Sequence, residues 1–326
     1  MASPRAAGPP RRAGRRLDLV SFGSVFLEIA FGHTDQLPRP GEEIYVESFA
    51  FSCGGAVTSA VEASRVGASA GLATVLGDDL GSRFAEQLCH AEGVDLSLSR
   101  RAEGAVAGIT VVLNYDGDRA FISHMPHRSG RSRPEPGRWA EILDHVRPSW
   151  AYLHASPDAL GALRKARAVG TKVALDVNLE EVGEFPEAVV ECVRLAQVFL
   201  PNEEELRRIT GSEDFKEALG KASSWCPLVV AKRGRHGAVV GEGRAVTEVT
   251  EGLLDVEVKD LTGAGDAFAG ALIGSLARGA SLLEAVAAAN SAGSKAAGRL
   301  GATGPLDVSR VWGPPLIVDP TTARLK

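Results

Sequence analysis

Apolar residues recur along the chain in two rhythms. Short runs rich in β-branched residues, Asp18 to Phe22, Ala70 to Val75, Trp150 to His154, Lys172 to Asp176, Val198 to Leu200 and Leu228 to Ala231, have the length of buried strands. Between them lie longer stretches with apolar residues at helical spacing: Thr58 to Val66, Ser82 to Ala91, Leu160 to Val169, Pro186 to Ala196 and Glu203 to Thr210. This alternation predicts parallel strands joined by crossover helices, an α/β fold with a doubly wound, mostly parallel sheet flanked by helices.

Two segments break the rhythm. Residues Ile29 to Ser52 and Ala107 to Met125 carry few helix signals but contain alternating stretches, Glu43 to Phe49 and Gly108 to Leu113, and Asp116 with Gly117 reads as a hairpin turn. They are expected to build a small accessory sheet, with lid strands within about 29–52 and 107–125. Beside a nucleotide site such a sheet would exclude water from a phosphoryl donor. The same strands could also be plain structural decoration.

The first sixteen residues hold Arg5, Arg11, Arg12, Arg15 and Arg16 without an acid, among Pro and Gly that sustain neither helix nor strand. They read as a disordered basic tail, 1–16, before one folded domain over 17–326. A strand-like run follows the arginines where a signal peptide would have its apolar stretch, so the expected compartment is the cytoplasm. No run approaches the ~18 uninterrupted apolar residues of a membrane span. A hydrophobic fraction of 44% supports a sizeable core, and a net charge of -5 argues against nucleic acid as partner. Cys53, Cys89, Cys192 and Cys226 lack CxxC spacing and read as buried thiols.

The segment Asp260 to Ile273, DLTGAGDAFAGALI, carries the chemistry. It lies between a strand-like VEVK and a helical run ending near Arg278. Gly263, Ala264 and Gly265 are small enough for their backbone N–H groups to converge on an anion, and a helix starting at Asp266 would add the positive end of its dipole. Asp266 is then either an N-cap or, if it faces a cleft, a general base beside a phosphate. A P-loop is excluded because the Gly220–Lys221 pair is followed by Ala222. A dinucleotide fingerprint fits poorly, since the third Gly is Gly270 and the segment lies near the C-terminus.

DLTGAGDAFAG closely resembles the C-terminal signature of the PfkB/ribokinase family of carbohydrate kinases. The resemblance runs from about residue 17 through PGEE at Pro40 to Glu43, the pair Gly54 and Gly55, GDDLG at Gly77 to Gly81 and LDVN at Leu175 to Asn178. It continues with PNEEE at Pro201 to Glu205, KRGRHG at Lys232 to Gly237, the GAGD segment and Asn290. It implies a ribokinase-like fold with a small β lid and transfer of the γ-phosphate of ATP to a hydroxymethyl group. Asp266 would be the base, and the backbone of Gly263, Ala264 and Gly265 the anion hole. Asn202 and Glu205 would act on Mg²⁺ through its waters; on their own they read equally as an N-cap and a first-turn acid. Lys232, Gly234, His236 and Gly237 would line the nucleotide, with Asn290 near the adenine. Asp260 and Thr262, with backbone near Ala296, Arg299 and Gly301, resemble the monovalent-cation site of the ribokinase branch, which implies K⁺.

Departures gather on the acceptor side. Glu28 stands where many relatives have Asp, Thr58 or Ser59 where an Asn contacts substrate, and Ala155 where an acidic residue follows the strand. Glu28, Thr58 and Ser59, with Gly54, Gly55 and Asp266, are the expected substrate residues. The departures remove anchors from a standard sugar pocket, so the ATP chemistry is expected to be retained while the acceptor's identity stays open, a sugar or sugar-like molecule being what the resemblance implies first. A nucleoside on the same fold and a nucleotide- or sugar-binding relative without catalysis stand as alternatives. The resemblance also implies a homodimer formed through the small sheet.

Overall fold

The computed structural model describes residues 16–115, 118–126 and 136–304. The first strand, β1 (Leu19–Phe22), is followed by β2 (Val25–Thr34), β3 (Phe49–Gly55) and helix α1 (Ala56–Arg65). Next come β4 (Ala70–Ala73), the short β5 (Val75–Leu76), α2 (Leu80–Ala91), β6 (Arg100–Arg101), β7 (Gly108–Tyr115) and β8 (Asp118–His124). From α3 (Pro136–Val146) strands and helices alternate: β9 (Trp150–His154), α4 (Leu160–Val169), β10 (Lys172–Asp176), α5 (Leu179–Glu184), α6 (Pro186–Leu195), β11 (Val198–Phe199), α7 (Glu203–Thr210), α8 (Phe215–Ser223) and β12 (Leu228–Lys232). The antiparallel pair β13 (Ala238–Glu242) and β14 (Ala245–Val249) precedes the closing helices α9 (Ala264–Ala277) and α10 (Leu282–Ala297).

The main sheet has the order β14-β13-β12-β11-β10-β9-β1-β4, parallel from β12 to β4. Side chains alternate across it. Ala151 and Leu153 face a core built with α3, α4, α6, α7 and α8, whereas Trp150 and Tyr152 face a second core with Phe268 and Leu272 of α9 and Val286 of α10. After β1 the chain builds β4 on one side, then returns to add β9 on the other. The strand order therefore reverses beside β1, and in such sheets the crevice for a ligand opens there, at the carboxyl ends of the strands.

The small sheet has the order β3-β2-β7-β8 and packs on α1 and α2 through Leu27, Cys53, Val57, Phe84 and Leu88. Its strand β3 begins only at Phe49. Glu43 to Phe49, read from sequence as a strand, is irregular up to Phe49, and its alternation brings no partner strand with it. VEVK before the GAGD segment is likewise irregular, held by Lys259 and Asp260 N–H groups donating to Ala297 O. The Asp116–Gly117 turn and residues 1–15 of the basic tail lie outside the described residues; Arg16 donates to Arg147 O and Pro148 O. All four cysteines are buried free thiols.

Candidate active site

Asp266 lies three positions past the cap of its helix, so it is not the capping residue. Helix α9 starts at Ala264, its N-cap is Gly263 with φ 71°, and Asp266 occupies the third helical position. Gly263 is required twice: by that left-handed backbone, and because a Cβ would lie 2.2 Å from Ala302 Cβ. The turn leaves peptide hydrogens free. Ala264 N–H donates to Leu261 O at 3.3 Å, while those of Gly265 and Asp266 have no acceptor among the described residues. Gly265 bears on a cation as well, since a Cβ there would stand 3.3 Å from Lys232 Nζ.

The strand ends converge on this turn. Lys232, closing β12, places Nζ 2.7 and 2.9 Å from the two oxygens of Asp176, which closes β10. Tyr152 of β9 is fully buried, and its hydroxyl lies 3.1 Å from Asp176 Oδ2, 3.0 Å from Asp266 Oδ1 and 3.3 Å from His154 Nε2. His154 Nε2 is 3.6 Å from Asp266 Oδ1, with its side chain 41% exposed and that of Asp266 22%. Desolvation at the strand end favours the neutral ring of His154, but its closeness to Asp266 and the charges of Asp176 and Asp266 outweigh it and raise its pKa. Burial, reinforced by the charges of Asp176 and Asp266, raises the Tyr152 pKa well above its ordinary value, so its hydroxyl stays protonated.

Other expected site residues are committed to the fold. Asn202 and Glu205 form a reciprocal capping box at the start of α7: Glu205 N–H donates to Asn202 Oδ1, and Asn202 N–H to Glu205 Oε2. Glu205 is buried, and desolvation, opposed by Lys232, pushes its carboxyl up to about 7. Gly234 and Gly237 shape a tight turn after β12; a Cβ on Gly237 would lie 2.3 Å from Val249 O. His236 is exposed on that turn. Asn290 is buried and spends its amide on Val249 O and Glu251 O, which sets it to hold that segment rather than to reach a ligand directly.

Asp260 Oδ1 accepts from Thr262 N–H and Oδ2 from Gly301 N–H, whereas buried Thr262 Oγ1 has no hydrogen-bond partner among the described residues. Ala296 O takes the N–H of Arg299, whose guanidinium bonds Glu62 and Ala302 O.

On the acceptor side the placement departs from expectation. Thr58 and Ser59 are fully buried; Thr58 Oγ1 donates to Cys53 O, and Ser59 Oγ meets Ser21 Oγ and Ala56 O. Neither hydroxyl is free to hold a substrate. Gly55, at φ 69°, caps α1, and Gly54 makes room for Glu28, because a Cβ there would lie 2.0 Å from Glu28 Oε1. Glu28 is buried and accepts from Ala302 N–H. Desolvation, with the charges of Asp260 and Asp266, pushes it up to about 7 against that hydrogen bond. Tyr152 and His154 did not stand out in the sequence, where WAYLH reads as core; a His ending an apolar strand was the available signal.

A sequence profile described as pfkB family carbohydrate kinase matches residues 16–308. The cytidine kinase of Thermococcus kodakarensis is 29% identical over 308 residues, covering 91% of this chain and 98% of that protein. The aminoimidazole riboside kinase of Salmonella typhimurium is 28% identical over 266 residues, 73% of this chain and 79% of that protein. The crystal structure of adenosine kinase from Sinorhizobium meliloti superposes with a TM-score of 0.76 at 20% identity, covering 91% of this chain and 98% of that chain, a likeness of fold.

Proposed function

Since the chain belongs to the pfkB family of carbohydrate kinases, and so is a sugar or nucleoside kinase, we propose that it moves the γ-phosphate of ATP to a hydroxymethyl group with Asp266 as general base. One observation carries this reading: a part-exposed carboxylate beside two unpartnered peptide N–H groups, at the carboxyl ends of β9, β10 and β12. Asp266 takes the alcohol proton as the oxygen bonds to the γ-phosphorus and the bond to the ADP oxygen breaks. The Gly265 and Asp266 N–H groups and Lys232 offset charge on the transferring group.

Mg²⁺, when bound with the nucleotide, supplies charge neutralisation across the phosphates. Glu205 suits it: a buried carboxyl at about 7 gains from a nearby dication, and the Asn202 N–H orients it to act through water. Thr262, Asp260 and the carbonyls nearby suit K⁺, because the unpartnered Thr262 Oγ1 needs an electrophile. The small sheet, which carries Glu28 toward the site on β2, serves as the lid.

A narrower reading, a nucleoside acceptor, is favoured by the buried Thr58, Ser59 and Ala155, which leave few polyol anchors, and by the riboside-directed names of the relatives. Coupled ADP-release assays over free sugars and ribonucleosides test both. Turnover with any of these acceptors is expected, with ribonucleosides ahead of free hexoses. Nucleotide binding without transfer to any acceptor would contradict the enzymatic reading, and preference for a free hexose the narrower one.

A further inference from the structure

The Tyr152 hydroxyl has one hydrogen and three groups within reach, Asp266 Oδ1 at 3.0 Å, Asp176 Oδ2 at 3.1 Å and His154 Nε2 at 3.3 Å, of which the two carboxylates are the charged acceptors. Asp176 is already supplied: Lys232 Nζ contacts both its oxygens, and Val177 N–H donates to Oδ1. Asp266 has no comparable donor; the nearest besides Tyr152 is His154 Nε2 at 3.6 Å. The Tyr152 hydrogen therefore belongs on Asp266 Oδ1 while Lys232 stays on Asp176.

Lys232 is held where that arrangement can change. Its ammonium hangs over Gly265, at the turn whose free N–H groups await an anion. A triphosphate arriving there competes with Asp176 for the ammonium. Asp176 is buried, so losing its cation leaves a charged group short of donors, and the Tyr152 hydrogen is the one at hand.

Taking Asp266 as the base, on which this rests, we infer that Tyr152 is a positioning residue linking the phosphate seat to the base: its hydrogen lies on Asp266 in the nucleotide-free chain and rotates to Asp176 when a triphosphate draws Lys232 away. Oδ1 of the base is released from Tyr152 only when the phosphoryl donor is in place. No covalent bond changes in this step; one hydroxyl rotates and one ammonium changes partner.

Calorimetry on the full chain, with Mg²⁺ and a non-hydrolysable ATP analogue as one probe and AMP as the other, tests it. Tyr152→Phe should weaken the triphosphate analogue about tenfold, the size expected when a buried acceptor loses its donor. AMP, lacking the phosphates that reach Lys232, should bind as it does to wild type. In a Lys232→Met background the Tyr152→Phe loss should vanish, because no ammonium is left to be drawn away. A second variant, Asp176→Asn, removes the need for the hydrogen and should bind the analogue at least as tightly as wild type. Equal analogue affinity in wild type and Tyr152→Phe, a loss that persists without Lys232, or a tenfold loss in Asp176→Asn would each overturn the link while leaving the kinase reading standing. A wild-type chain that binds no triphosphate would overturn both.

Discussion

Glu28 shows how one residue records the chemistry around it. Desolvation first, then the charges of Asp260 and Asp266, raise its carboxyl from 4.5 to about 7, with the Ala302 N–H pulling the other way. A carboxyl whose folded pKa is raised contributes stability that is fully present below about 4.5 and is lost as pH rises through about 7. Over that window the loss amounts to about 3 kcal/mol. Glu28→Gln removes the titration, so thermal unfolding at pH 8 should show the variant more stable than wild type, with the difference shrinking at pH 5. An equal difference at both pH values would mean Glu28 is not held as the geometry has it. Other residues show where sequence reading stops. Asp266 stands out because small residues before an acid at a helix start can open an anion seat. A lone GxGD nonetheless reads first as a tight turn with a capping Asp, and only the surrounding motifs shift that reading. Thr58 and Ser59 mislead because a hydroxyl at a helix start is equally at home bonding its own backbone, which is where both hydroxyls went.

At the scale of elements, Gly270 ties the site to the packing of two helices. It lies one turn after Asp266 on the same face of α9, and a Cβ there would stand 2.3 Å from Ser59 O of α1. The same close approach recurs at Gly274, against Val66 and Ala63. Gly270→Ala must push the helices apart, at roughly 1–3 kcal/mol. It should also displace Asp266 at the helix start. Unfolding temperature and turnover should therefore fall together; a fall in stability with full turnover would separate the packing from the site. The parallel strands were legible because buried strands in such sheets are short, continuous apolar runs, and Trp150 to His154 and Lys172 to Asp176 have the limits expected of them. The start of β3 was not, since Glu43 to Phe49 alternates without a partner strand. Nor was the start of α9: Gly263 in a left-handed conformation moves the helix back by two residues, a geometry no periodicity encodes.

Across the whole molecule, the strand-order reversal beside β1 brings together residues far apart in sequence. Tyr152, Asp176, Lys232 and Asp266 come from three strands and a helix, yet they form one connected cluster. The loop after α10 ties α1 to the small sheet: Thr303 N–H donates to Ser52 Oγ, and Arg65 donates to Thr303 O. Among the described residues no helix is long and apolar enough to cross a membrane. The measurement that bears most directly on how this assembly works is ADP release from Mg²⁺-ATP by Asp266→Asn beside wild type, using an acceptor found in the panel, with nucleotide affinity measured by calorimetry on the same samples. Turnover should fall about 10²- to 10⁴-fold while nucleotide affinity is kept, as for loss of a general base. Turnover equal to wild type would contradict the role of Asp266.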